Sequence, residues 1–403
     1  MAEPVIVATA RSPIGRAFKG SLIEVRPDDL AAEIVKAALA KVPQLDPGEI
    51  EDLMLGCGLP GGEQGFNMGR VVSVLAGLPD VPGLTLTRYC ASSLQTIRMA
   101  AHAIRAGEGD VFVAAGVELV SRFVKGNSDS HLDTMNPRFA DAGERTAQRA
   151  EAGSIPWSER TGLPDVYIAM GQTAENVAQI EGIGREEMDA FALRSQTRAV
   201  ESQKNGFFER EITPVTLANG NVVATDDGPR PDTSLERLAE LKPVFRSDGR
   251  ITAGNACPLN DGAAAVVVMS DTRARDLGIT PLARIRSSAV SALNPEIMGL
   301  GPVEASRRAL ERAGMSIGDV DLVEINEAFA AQVIPSARAL GVDPDRLNVH
   351  GGSIAVGHPF GMTGARIMTT LLNGLATDDK TIGLETMCVG GGQGMAMVVE
   401  RVG

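Results

Sequence analysis

Short apolar runs alternate with apolar stripes at helical spacing along most of the chain, the pattern of an α/β protein. Val5–Ala8 reads as a first strand, followed by a loop over Arg11–Arg26 containing Pro13, Gly15 and Gly20. Asp28 or Asp29 then caps a helix through Leu39, with Leu30, Ile34, Val35 and Ala38 facing inward. Ile50–Cys57 predicts a second strand, and Met68–Leu75 a short helix. Leu94, Ile97, Ala101 and Ile104 form the stripe of a helix that starts at Ser92 or Ser93, both good cap residues. The buried strand Val111–Ala115 follows.

From Glu118 to about Arg250 the pattern loosens. Charge, Pro and Gly rise, and helices over Thr173–Ile180 and Arg185–Asn205 alternate with loops, as in an inserted segment. Core pattern resumes with strands at Ala263–Met269 and Arg284–Ser291. A helix over Glu304–Arg312, a strand over Val320–Glu324, a helix over Glu327–Ala339 and a strand over Arg346–Val349 come next. A Gly-rich turn and helix (Gly351–Gly374) lead into strands Ile382–Cys388 and Met395–Glu400.

The chain also repeats itself. Ile50–Leu55 resembles Val320–Ile325, and Asp261–Val268 resembles Gln393–Val399. Two similar βαβ-rich halves, the first carrying the insertion, would bring the turn at Cys90 close to the turn at Gly357-His358-Pro359 across a pseudo-two-fold axis. Strand carboxyl ends in open α/β sheets are where ligands collect.

Charge narrows the partners. Lys and Arg number 38 against 51 Asp and Glu, a net charge of −13, which disfavours nucleic acid as a ligand. An anionic ligand would need a local basic patch. No apolar run reaches membrane-spanning length, and the N-terminus lacks a signal-peptide core, so no membrane partner and a cytoplasmic location are expected. The four cysteines (Cys57, Cys90, Cys257, Cys388) include no CxxC, so neither a disulfide framework nor a zinc site is indicated.

Candidate chemistry gathers at strand-end turns. Cys90 sits where a short apolar segment meets a helix start; the positive end of the helix dipole would lower its thiol pKa and favour the thiolate. A packed, inert cysteine is the alternative from this stretch alone. His358 is one of only four histidines and lies in a glycine-lined turn expected to expose it, with Thr363 placed to cap the next helix. Cys388 opens Cys-Val-Gly-Gly-Gly-Gln-Gly, whose glycines suit close backbone approach or N–H donation to an anion. Asn326 reads either as a helix cap or as a site residue. Cys57 and Cys257 lack comparable settings. Two cysteines and a histidine at such turns point to nucleophilic catalysis with a base and a second acid/base group.

Tyr89–Gln95, Asn326–Ala330, Gly352–Gly364 and Cys388–Gly394 resemble the four active-site blocks of the thiolase family, the acyl-CoA C-acetyltransferases. Thr252–Asn255 and Asn260–Ala265 match as well, and the blocks span the whole chain in order. The resemblance implies a five-layer α-β-α-β-α fold of two βαβαβαββ repeats with an inserted loop domain. The halves would be 1–120 plus 250–272 and 273–403, with 121–249 as a CoA-binding insertion. It implies Cys90 as the acylated nucleophile, His358 as its activator and a ligand of a thioester oxygen, and Cys388 as the group that exchanges the α-proton. Asn326 would hold a water in one oxyanion hole, and the N–H groups of Cys90 and Gly390 would form the other. Arg230 would meet the adenine end of CoA, Leu163 and Met170 would line the pantetheine path, and Ala253 and Gly254 would lie beside it.

The implied partners are CoA, acyl-CoA and 3-ketoacyl-CoA, in a homodimer or homotetramer. Coenzyme A is a substrate, and no cofactor or metal is implied. Departures from the family pattern are Ala169, where many short-chain thiolases have histidine, Cys257 in place of a serine, and Val117-Glu118-Leu119-Val120-Ser121. The altered insertion, Val124–Pro164, favours a degradative 3-ketoacyl-CoA thiolase over one restricted to acetoacetyl-CoA. A ketoacyl-synthase-like enzyme would lack Cys388, and an inactive CoA- or lipid-binding relative would have lost one of the catalytic positions.

Overall fold

The computed structural model describes residues 2–152, 155–159 and 161–403; the expected insertion at 121–249 includes residues 153, 154 and 160, which lie outside the described residues. Nine strands carry the core: β1 (Pro4–Arg11), β2 (Asp52–Cys57), β3 (Gly83–Leu86), β4 (Val111–Leu119), β5 (Asn260–Ser270), β6 (Ala283–Ala292), β7 (Leu322–Ile325), β8 (Ile382–Val389) and β9 (Gln393–Arg401). They run side by side as β7-β8-β9-β6-β1-β5-β4-β2-β3, with a two-residue strand, Gly15–Arg16, on β5. The first half is β3-β2-β4-β5-β1. The second repeats it in mirror order as β6-β9-β8-β7, and Leu347 bridges to Val323 where a fifth strand would stand. Within the sheet the halves pair at Val5–Arg284 and Ile6–Ala283.

Why these strands lie inside follows from their sequences. All eleven positions of β5 and all nine of β4 are buried, as continuous Ala/Val runs require when both faces are covered. Between the sheet halves lie α1 (Ser92–Ala106) and α2 (Thr363–Thr377), with Leu94, Ile97, Ala101 and Ile104 in one core with Met368, Leu371, Met387 and Met397. The outer faces are covered by the helices Pro27–Leu39 on one side and Gly301–Ala313 with Ala330–Leu340 on the other. The layers are therefore α-β-α-β-α. No helix among the described residues is long and apolar enough to cross a membrane.

Glycine sets the closest approaches. A Cβ on Gly364 would run into the backbone of Leu94, and one on Gly116 into the Gly361 carbonyl oxygen. These two positions let α2 lie on α1 and let the turn after His358 lie on β4.

Four local expectations are corrected. Arg346–Val349 is not a strand: Asp343 and Pro344 nucleate a 3-10 turn over Pro344–Arg346, and Asn348 takes a left-handed backbone. The helix expected from Glu327 begins at Ala330, because the Glu327 carboxylate is held by Ser195, Asn348 and the Ile354 N–H. The first helix begins at Pro27, and Asp28 pairs with Arg26 rather than capping. The helix expected from Thr173 starts at Met170.

Candidate active site

β3 ends at Leu86, and a 3-10 turn, Tyr89–Ala91, turns the chain directly into α1. Tyr89 adopts φ 43°, a conformation costly for a non-glycine residue and held here by its surroundings. Ser92 and Ser93 do not cap α1. Ser92 Oγ accepts from the Arg88 N–H at 2.9 Å and donates to the Tyr89 carbonyl at 2.6 Å, clamping the turn. Ser93 Oγ accepts from the Ala365 N–H at 2.9 Å, which ties α2 to the helix of Cys90.

Cys90 lies half-buried against a cavity of about 520 Å³. Its lining includes Leu59, Tyr89, Met135, Ile168, Met170, Phe360 and Gly390. The expected lowering of its thiol pKa does not occur. Burial pushes it up to about 12; the Glu118 carboxylate adds to this, and the backbone N–H groups of Cys90 and Gly390 oppose it. Desolvation outweighs a helix start whose field acts within one turn.

The Gly-rich block after Cys388 explains the second donor. Gly391 and Gly392 have φ of 76° and 79°, so the chain reverses between β8 and β9 with the Gly390 N–H facing Cys90. A Cβ on Gly392 would collide with the Leu293 carbonyl, so this turn excludes side chains on two grounds. Cys388, on β8, is fully buried. Its thiol pKa is raised by burial and by its neighbours Cys90 and Cys257.

Cys257 is the residue that sequence reasoning missed. It was set aside for want of a motif, yet it interacts with Cys90 and Cys388, and its N–H bonds the Ala328 carbonyl at 3.0 Å. The signal was spatial: the strip Asn255–Cys257 runs beside Ala328–Ala330, so its motif neighbour is 70 residues away in sequence.

His358 is 1% exposed, contrary to the expectation of an exposed turn. Burial, with the nearby Arg366 cation, pushes its pKa down to about 3, so the ring is neutral. Its N–H donates to Asn260 Oδ1 at 2.9 Å. Its Nδ1 lies 2.6 Å from Thr363 Oγ1, whose own proton goes to the Pro359 carbonyl at 2.7 Å. Thr363 is the first residue of α2 rather than its cap. The ring of His358 stands edge-on to Phe360, centroids 5.3 Å apart, and Phe360 lines the cavity of Cys90.

Asn326 follows β7 and does not cap a helix; the next helix is capped at Phe329. Its N–H donates to the Thr386 carbonyl on β8, two residues before Cys388. Its Nδ2 lies 3.3 Å from His358 Nε2. The turns of Cys90 and His358 thus reach one cavity through Cys90 and Phe360, with Asn326 beside His358.

The expected CoA contacts divide. Arg230, Ala253 and Gly254 line one groove, together with Arg16 and Arg237. This is a local basic patch on an acidic protein. Arg230 also lines an adjoining cavity of about 430 Å³ with Gln196 and Lys204. Met170 lines the cavity of Cys90 instead. Leu163 stands apart in a small recess with Arg145, Arg149 and Trp157.

A half-buried thiol and the Gly390 turn on one cavity, with a buried neutral imidazole packed edge-on against Phe360 of that same cavity, suit acyl transfer through a thioester. Similarity to known proteins agrees with that chemistry. The thiolase N-terminal domain family matches residues 4–272, and the thiolase C-terminal domain family matches residues 279–401. A 3-ketoacyl-CoA thiolase of Bacillus subtilis (strain 168) is 42% identical over 413 residues, covering 99% of this chain and 100% of that protein. A 3-oxoadipyl-CoA/3-oxo-5,6-dehydrosuberyl-CoA thiolase of Escherichia coli (strain K12) is 45% identical, with 100% of both chains covered. Among solved structures, a Bacillus anthracis acetyl-CoA acetyltransferase superposes with a TM-score of 0.86 at 37% identity, covering 100% of this chain and 99% of that one. The chain belongs to the thiolase family and is an acyl-CoA C-acyltransferase of that family.

Proposed function

We propose that the enzyme cleaves 3-ketoacyl-CoA thiolytically, by ping-pong transfer through Cys90, and runs the Claisen condensation in reverse. The observation that carries this reading is that Cys90 and Gly390 line one cavity of about 520 Å³, with the backbone N–H groups of both near enough to the Cys90 sulfur to oppose the rise of its pKa on burial. The neutral His358 ring takes the thiol proton as the sulfur attacks the 3-keto carbon. The two N–H groups then hold the oxyanion that forms there. Collapse breaks the C2–C3 bond; the electron pair goes to C2, and the Cys388 thiol supplies the proton that completes acetyl-CoA. A second CoA thiol gives its proton to the Cys388 thiolate and attacks the acyl-Cys90 thioester; the C–S bond to Cys90 breaks, Cys90 takes its proton back from His358, and the shortened acyl group leaves as its CoA thioester. Asn326, beside His358, aids the thioester oxygen through a held water. The reverse direction uses the same groups in reverse order.

The segment 121–249 serves as the CoA-binding insertion between halves 1–120 plus 250–272 and 273–403. Arg230 meets the anionic nucleotide, with Ala253 and Gly254 beside the pantetheine arm. Met170 lines its inner path at the cavity of Cys90, whereas Leu163, expected there too, lies in a separate recess. Coenzyme A acts as a substrate. A cytoplasmic enzyme, assembled as a dimer or tetramer, fits this chemistry.

The apolar lining of the cavity favours a degradative enzyme with uncharged acyl chains over one restricted to acetoacetyl-CoA. Leu132, Met135, Val166 and Ile168 contribute to that lining, which holds one carboxylate, Asp129, one imidazole, His131, and, among the described residues, no lysine or arginine. A dicarboxylate-derived 3-ketoacyl-CoA would meet Asp129 without a cation to pair with. The test is thiolysis across a 3-ketoacyl-CoA series from acetoacetyl upward, with 3-oxoadipyl-CoA as comparator. Medium-length uncharged chains are expected to give the highest kcat/KM. A strict preference for acetoacetyl-CoA or for 3-oxoadipyl-CoA would overturn this reading.

A further inference from the structure

Behind Asn326 runs a buried chain of polar groups that the reaction above does not use. Arg366 is 1% exposed and lies on α2. Its Nη2 lies 2.7 Å from Ser353 Oγ, which in turn lies 2.6 Å from Asn326 Oδ1. Asn326 Nδ2 reaches His358 Nε2, and His358 Nδ1 reaches Thr363. Every member is buried.

The direction of each bond follows from the first. Arginine can only donate, so the Ser353 oxygen accepts. The single Ser353 proton must then go to Asn326, where only the carbonyl oxygen can accept it. The amide is thereby held with its NH₂ toward His358. Nε2 must accept from that NH₂ and carries no proton, so the ring proton sits on Nδ1 and is donated to Thr363. Thr363 can accept it because its own proton is committed to Pro359. The far end agrees: one orientation satisfies all five groups, and reversing any bond strands a donor against a donor.

The Arg366 cation has its own anchor. Glu324 on β7 and Glu385 on β8 are its charged neighbours, both buried. The Glu385 carboxyl oxygens and Arg366 Nε make no hydrogen bond within the chain among the described residues. Burial raises the pKa of both Glu324 and Glu385, and the bond of Arg366 to Ser353 is the directional one.

We propose that Arg366 and Ser353 are positioning residues: through Asn326 they fix the tautomer of His358, keeping the proton off Nε2, the nitrogen that is to act as the base. This rests on His358 being the base of the thiolytic reaction. A histidine confined to the wrong tautomer cannot take the proton at the required nitrogen.

The test uses the full chain labelled with 15N-histidine. With four histidines in the sequence, the His358 ring resonances can be assigned by loss in His358→Ala. The wild type is expected to show His358 protonated at Nδ1 alone. Ser353→Ala is expected to show exchange between both tautomers and to lose about tenfold in kcat with KM for CoA unchanged, a part of the full general-base contribution. Ser353→Thr, which keeps the hydroxyl, is expected to restore both the Nδ1 tautomer and kcat. A Ser353→Ala protein that keeps the Nδ1 tautomer overturns the proposal. So does one with a mixed tautomer and unchanged kcat, and a merely structural serine would lower Tm without moving the ring spectrum. Full activity of His358→Ala would instead refute the assignment of the base, whatever the tautomer.

Discussion

Cys90 and His358 stand in their un-ionised forms. Burial raises the thiol to about 12 and lowers the imidazole to about 3, so an imidazolium–thiolate pair is not the resting state. Burial disfavours whichever form is charged, so the thiol loses its proton only at higher pH and the ring gains one only at lower pH. Iodoacetamide labelling of Cys90 in the free enzyme should therefore rise with pH, with a midpoint above the roughly 8.5 of an unperturbed thiol. A midpoint below that would show a preformed thiolate. Substrate binding must then supply the driving force for proton transfer, which the oxyanion donors at Cys90 and Gly390 are placed to give. Cys388→Ala should still form the acyl-Cys90 adduct but lose α-proton exchange in acetyl-CoA by about 10²-fold or more; normal exchange would remove its assigned role. The residues Cys90, His358, Cys388 and Asn326 were legible in sequence because each sits in its own local turn motif. Cys257 was not, because its neighbours are reached only through tertiary contact with Ala328. The pKa direction at Cys90 was misread for a related reason: a helix start is written locally, whereas desolvation comes from the whole fold.

At the scale of elements, the site depends on α1, α2 and β4 approaching closely. Gly116→Ala would drive a Cβ into the Gly361 carbonyl, and Gly364→Ala into the Leu94 backbone. Each should cost about 1–3 kcal/mol by overpacking. Gly116→Ala should also lower kcat, because Pro359–Gly361 follows His358 directly. Gly143→Ala is the control: it lies in the helix Ala140–Ala152 with open space around it, and should stabilise by up to about 1 kcal/mol. Thermal denaturation of the three variants checks the order. Strands such as β4 and β5 were legible because continuous apolar runs survive in any tertiary context. Arg346–Val349 was not: its alternation looked strand-like, but Asp343 and Pro344 set a tight turn, and Leu347 and Asn348 reach β7 by a single bridge and the hydrogen bonds of Asn348. Glu327 delays its helix for the same kind of reason, since its carboxylate serves Ser195 and Asn348, neither near in sequence.

At the scale of the whole molecule, two repeats meet along β1 and β6 and bring the Cys90 turn to the His358 turn. The internal repeat made this arrangement legible; the packing of the insertion was not, because its irregular loops carry little periodicity. The groove of Arg16, Arg230 and Arg237 is a local exception on a chain of net charge −13. Arg230→Ala should raise KM for CoA about tenfold, near 1.4 kcal/mol, with kcat little changed. Sedimentation should give two or four times the 42.2 kDa chain mass. β3 is the outermost strand of its half, and Phe66 nearby is 93% exposed, so this edge is a natural contact for a second copy. All of these expectations lean on one covalent event. The most direct measurement is intact-mass and peptide mass spectrometry after brief reaction with a medium-chain 3-ketoacyl-CoA and rapid acid quench. The account predicts one shortened acyl group per chain, mapped to Cys90 and discharged by added CoA. An acyl group on Cys257 or Cys388 instead, or turnover with Cys90 unmodified, would contradict it.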